Sequence, residues 1–316
     1  MLTPVPLVMA VAAGLIVGGF YYWARRQGLL AAGPAAEGKP GVSLLTEAVA
    51  YVGAILLLAG GIAAVSRQWD ELGSWGRVGV LAGAGVFFLV AGALVRNVRE
   101  PAVQRLAGVV WFLSVACAGG ATGCAADGGY RSTGAVAVLA VGLVVTAYAA
   151  VLWLVRRRVW QNAALFGGLV IAICGLIATI AGGPGPVPVL AYALPLWGFG
   201  LAWAWLGRQR YVEPIWVTMP CGVVLALIAP ALAAGEHGWM YAIGIATAAA
   251  AMAAAVPLRN TPLLALGTLA MFGYVTPAVI RYFHQSLGTP AALAATGALI
   301  LGLAAVSARL MRNMQA

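Results

Sequence analysis

Charge is scarce in this chain. Of its 316 residues 8% are Asp, Glu, Lys or Arg, against about 25% in a soluble domain. That is too little to coat a water-facing surface, so a soluble Rossmann-type enzyme and a free nucleic-acid-binding domain are excluded. Intrinsic disorder is excluded by the opposite property, a 63% hydrophobic composition with a mean hydropathy of +0.97. Lysine is nearly absent: Lys39 stands alone beside the arginines. There are two histidines and four cysteines, with no C-x-x-C pair. Cys117 and Cys124 lie two helical turns apart, about 10 Å of rise, which no disulfide closes. All four cysteines read as small hydrophobes in helix packing. No Walker loop, nucleophile elbow or kinase signature is present.

What the chain has instead is long apolar runs. A bilayer core about 30 Å thick needs roughly 20 apolar residues per helix, and a helix satisfies its own backbone groups in lipid. Cutting at charges and Gly/Pro clusters predicts an all-α bundle of eleven transmembrane helices over residues 5–23, 45–66, 78–95, 106–126, 133–155, 163–181, 187–206, 212–234, 239–256, 263–280 and 291–308. Residues 1–23 form an N-terminal anchor, since the positive charge follows the apolar stretch where a cleaved signal has it in front. Residues 24–44 form a cytoplasmic linker, and residues 45–310 a ten-helix membrane domain, divisible as 5+5.

The arginines orient this parse. The segments after the odd-numbered spans hold Arg25, Arg26 and Lys39; Arg96, Arg99 and Arg105; Arg156, Arg157 and Arg158; Arg208 and Arg210; Arg259; and Arg309 with Arg312. The opposite segments hold Arg67, Arg77, Arg131 and Arg281, and the carboxylates divide evenly. Cytoplasmic segments are enriched in Lys and Arg, so the N-terminus is expected outside and the C-terminus inside. The formal charge of +10 then belongs to the cytoplasmic face, where it attracts anionic lipid headgroups. Basic residues scattered over short loops argue against a nucleic-acid partner.

The most structured polar stretch is Trp69-Asp70-Glu71-Leu72, followed by Trp75 and Arg77, between two Gly-rich spans. Asp70 and Glu71 could hold a cation or substrate with Trp69 and Trp75 stacked on it. The structural alternative is a tight turn fixed by charge pairing, with tryptophans as interfacial anchors. Residues 43–96, which carry this hairpin, resemble the bacterial predicted membrane proteins of the domain-of-unknown-function 2157 family. The resemblance implies a multi-helix membrane fold and brings no catalytic residue with it. Arginine dominance in an Ala/Gly/Val-rich chain fits a GC-rich bacterial genome and hence a bacterial inner membrane.

Three functional readings follow. The preferred one is a non-enzymatic structural or partner-binding membrane protein, with a membrane protein or a second copy as partner, because no Asp, Glu, Lys, Arg or His sits near the middle of any span. The second is a carrier for a neutral or apolar solute or lipid, with Gly60 and Gly61 in one half and Pro195, Gly198 and Gly200 in the other as helix interruptions. The third is an outer-face enzyme on a lipid-linked substrate, for which Asp70, Glu71, Asp127, Glu236, His237 and His284 are the acid–base candidates. No ligand spacing supports a metal site, and no cofactor is expected. Gly14…Gly18, Gly79…Gly83 and Gly119…Gly123 pair small residues on helix faces suited to close approach.

Overall fold

The computed structural model describes residues 69, 71–95, 101–129, 134–156, 159–182, 187–258 and 260–282, with the single positions 297 and 302. The chain divides into two compact units, Met1–Ala59 and Gly60–Ala316. The described residues all belong to the second, and spans 5–23, 45–66 and 291–308 lie outside them, as do Gly60 and Gly61.

Eight helices are described: α1 (Ser74–Val95), α2 (Pro101–Gly129), α3 (Gly134–Val155), α4 (Val159–Ala181), α5 (Val189–Arg208), α6 (Ile215–Ala234), α7 (Trp239–Ala255) and α8 (Thr261–Tyr282). There is no strand among the described residues. Each helix overlies one of the expected spans. Seven are long and apolar enough to cross a membrane, and α7, with 17 residues, is shorter. The structure therefore carries an all-α, multi-pass architecture, and a count of eleven goes beyond it.

Local chemistry sets several boundaries. Pro101 opens α2, a position where its missing N–H costs nothing. Asn260 Oδ1 accepts the Leu263 N–H at 3.1 Å, capping α8. Helix α4 begins at Val159, earlier than its hydropathy predicts, and so draws Gln161 and Asn162 out of the expected loop and into the bundle.

Neighbouring helices pack as antiparallel pairs, and glycine sets how closely. On α3 and α4, a Cβ at Gly142 would lie 2.3 Å from the Ala172 nitrogen, and one at Gly175 2.3 Å from the Leu139 nitrogen. On α5 and α6, Gly200 meets the backbone of Ala226 and Gly222 that of Ala204. On α1 and α2, Gly92 receives the Trp111 ring; on α7 and α8, Gly244 receives the Tyr274 ring. Lipid tails give no hydrophobic drive for helix association, so close backbone approach and van der Waals contact replace it. Gly119 and Gly123 take part in this, against Val145 and Val141 of α3, whereas Gly79 and Gly83 have open space beside them. Gly14 and Gly18 lie outside the described residues.

The bundle's exterior is apolar. Leu94 is 78% exposed, Ile180 76%, Phe87 67% and Leu269 67%. A continuous coat of this kind is compatible with hydrocarbon, not with water. Buried residues gather in three clusters: around Trp111 and Ala149 between α2, α3 and α4, around Ala193 and Met240 between α5, α6 and α7, and around Met252 and Leu264 between α6, α7 and α8.

Helix α5 corrects one expectation. It runs unbroken through Pro195, Gly198 and Gly200, so these residues do not interrupt it. Pro195 is exposed, Gly198 has no neighbour within 4 Å, and Gly200 is a packing contact against α6. A proline removes a single backbone bond in a helix that its partner holds along its length.

Candidate functional site

Because the helices alternate in direction, the polar residues collect at two ends. One end carries the start of α1, the α2–α3, α4–α5 and α6–α7 turns and the end of α8. There Arg77 Nε donates to the Trp69 carbonyl at 2.9 Å, and its guanidinium carbon lies 5.3 Å from the Trp69 ring centroid. Trp69 and Arg77 thus join across the turn through a carbonyl and a cation–π contact. Glu71 is exposed and Trp75 is 72% exposed, the placement of an interfacial anchor. Asp70 and His284 lie outside the described residues; Asp127 sits in the last turn of α2 and its side chain is likewise not described.

At the same end, in the α6–α7 turn, Glu236 is exposed and His237 half-buried. The His237 ring stands edge-on to Trp239 at 6.4 Å, and its Nδ1 is buried with no hydrogen-bond partner. Arg281 Nη1 donates to the carbonyls of Ala234 at 3.0 Å and Gly235 at 2.6 Å, placing a cation at the C-terminus of α6. The Trp69–Arg77 pair belongs to the start of α1 and the His237–Arg281 group to α6, α7 and α8, so the described candidates of this end sit on separate elements. Among the described residues no group of three His, Cys, Asp or Glu could hold a metal ion.

The bundle interior uses its polar atoms to join helices. Ser114 on α2 donates to the Gly85 carbonyl of α1 at 2.8 Å and shares a 2.6 Å hydrogen bond with Tyr148 of α3. The Tyr274 hydroxyl on α8 donates to the Leu227 carbonyl of α6, and Trp197 on α5 donates to Thr247 of α7 at 3.1 Å. Thr122, Thr179, Thr247 and Thr268 each donate to the carbonyl four residues back, the ordinary way for a hydroxyl to be satisfied in a membrane helix.

The other end holds a cluster that hydropathy did not reveal. Asn162, at the start of α4, is 1% exposed; its Nδ2 donates to Thr218 Oγ1 of α6 and, at 3.4 Å, to the Glu213 carbonyl. Trp153 of α3 donates to the same carbonyl at 2.9 Å. Thr218 Oγ1 lies 3.1 Å from the carbonyls of Val212 and Pro214. Gln161 Nε2 donates to the Gly108 carbonyl of α2 at 3.4 Å, while its Oε1 is buried without a partner. Five elements meet here: α2, α3, α4, α6 and the α5–α6 turn. The one available signal was the Gln-Asn pair placed just after Arg156-Arg157-Arg158 and before an apolar run.

The fold and this arrangement of polar groups define a multi-pass, all-helical membrane protein. No family model, no curated protein and no solved structure matches the chain.

Proposed function

We propose that this chain is a non-enzymatic integral membrane protein with a structural or partner-binding role. The observation supporting this is the use made of its buried polar side chains. Ser114, Tyr148, Asn162, Thr218 and Tyr274 all join one helix to another, which suits a rigid scaffold. Its partners on this reading are anionic lipids at the basic face and a membrane protein or a second copy. The eleven-span count, the outside N-terminus and the bacterial inner membrane belong to the same proposal and rest on the arginine distribution. So does kinship with the domain-of-unknown-function 2157 proteins, which rests on residues 43–96.

Reporter fusions test the topology. A fluorescent reporter fused after Arg158 is expected to fold and glow in the cytoplasm, and a phosphatase fused after Glu236 to be active outside. The reverse pattern overturns the orientation. The scaffold reading itself is tested in proteoliposomes holding the purified full chain. Their permeability to glycerol and other small neutral solutes is expected to equal that of protein-free liposomes. A saturable flux that Pro195→Ala reduces would instead establish a carrier.

A further inference from the structure

We propose that the α5–α6 turn, through Arg208 and Arg210, binds the phosphate headgroup of an anionic phospholipid. The inference rests on the membrane-embedded reading and adds to it a defined site. Five arginine side chains are described, those of Arg77, Arg156, Arg208, Arg210 and Arg281. At one end Arg77 and Arg281 are committed to backbone carbonyls. At the other, Arg208 and Arg210 are exposed, and their side chains have no hydrogen bond or ion pair with any described residue.

The backbone at this turn is a Schellman-type C-cap, closed in part by the Arg210 N–H on the Gly207 carbonyl at 3.1 Å. Helix α5 ends with Gln209 N–H on the Trp205 carbonyl at 3.0 Å and Tyr211 N–H on the Leu206 carbonyl at 3.1 Å. Between them Arg210 has φ 63° and is the one non-glycine residue of positive φ among the described residues. Glycine or asparagine ordinarily occupies such a position. Arginine there puts a second exposed cation beside Arg208 at the end of α5.

The surroundings fit a lipid better than a free anion. Trp205 and Tyr211 are 56% and 68% exposed with ring centroids 6.4 Å apart, a pair suited to headgroup depth. Below them the exposed Leu194 and Leu201 continue the apolar coat of α5, giving acyl chains a surface directly beneath the arginines. Guanidinium groups match phosphate through paired N–H donors. The bonds from Trp153 and Asn162 to the Glu213 carbonyl fasten the turn to α3 and α4 and bring the end of α3, with half-buried Arg156, beside it. The carboxylate at this turn is Glu213, which is exposed.

The test uses the purified full chain in detergent and measures lipid retention by native mass spectrometry, with phosphatidylglycerol against phosphatidylcholine. Phosphatidylglycerol is expected to be retained selectively. Arg208→Gln and Arg210→Gln are each expected to weaken retention about five-fold, the factor for one cation at an anionic headgroup surface. Arg210→Lys keeps most of it. Arg210→Gly is the decisive variant: it removes the charge and relieves the backbone, so retention falls while the melting temperature holds or rises. Arg312→Gln serves as a control for net charge and is expected to bind like the parent. Equal retention of both lipids, equal loss in Arg312→Gln, or displacement of the lipid by millimolar inorganic phosphate overturns the site. Carbonate extraction of the same variants separates the two failures: a chain released from membranes refutes the embedded reading, and an embedded chain without lipid preference refutes only the site.

Discussion

Gly175→Ala sharply lowers the stability of the membrane domain, and Gly198→Ala leaves it unchanged or slightly raises it. Both substitutions add one methyl group to an apolar helix, and both gain helix propensity of about 0.5–1 kcal/mol. They differ in what the methyl meets. At Gly198 there is nothing within 4 Å, whereas at Gly175 the new carbon would lie 2.3 Å from the Leu139 nitrogen and 2.5 Å from its Cα. A flexible side chain could turn aside; a helical backbone cannot. The α3–α4 pair must separate along its seam, and overpacking of this kind costs about 1–3 kcal/mol, more than the propensity gain. Gly142→Ala strikes the same seam from α3, against the Ala172 backbone. The double substitution is therefore expected to cost less than the two singles together, since the first already opens the interface. Thermal or SDS unfolding of the purified chain, followed by circular dichroism, reads these differences. Equal stability of Gly175→Ala and Gly198→Ala would remove the close-packing account of the fold.

The second large effect is expected at Asn162. Asn162→Leu keeps the branched shape of the side chain but removes one donor to the Glu213 carbonyl and the donor to Thr218 Oγ1. Interhelical hydrogen bonds in membranes contribute about 0.6 kcal/mol on average and up to about 1.7, and Asn162 joins two groups at once. A loss of about 1–2 kcal/mol is expected. The cycle with Thr218→Val isolates the direct bond: Thr218→Val in the Asn162→Leu background should cost less than it does in the parent. Strict additivity across that cycle means that the two side chains do not act together, whatever their separation. The same variants loosen the α5–α6 turn, so Asn162→Leu is also expected to broaden retention of phosphatidylglycerol without altering the charge of the chain.

Both predictions concern residues whose importance is hard to read from the chain alone. The apolar runs locate all eight described helices, because crossing hydrocarbon demands length and hydrophobicity and little else. Their ends are less legible. Gln161 and Asn162 have the polarity of a loop, yet α4 begins at Val159 because their side chains find partners on α2 and α6. Pro195 looks like a helix breaker, and α5 passes through it because its neighbour holds the backbone. In the Trp69–Arg77 hairpin the arginine uses a carbonyl and an aromatic face, contacts that its composition does not announce.

Solvent, secondary structure and the accumulation of arginine at alternate turns follow from composition and order, since each depends on single-residue transfer between water and lipid. Which of the 42 glycines seat a neighbouring backbone, and which of the described arginines are engaged with a carbonyl, follows from the packed bundle. Hydropathy cannot distinguish a glycine facing a helix from one facing lipid, because both surroundings are equally apolar. That distinction exists once the helices have met: Gly142, Gly175, Gly200 and Gly222 are at contacts, Gly79 and Gly198 are not, and among the described residues the Arg208 and Arg210 side chains have no hydrogen-bond partner where Arg77 and Arg281 are engaged.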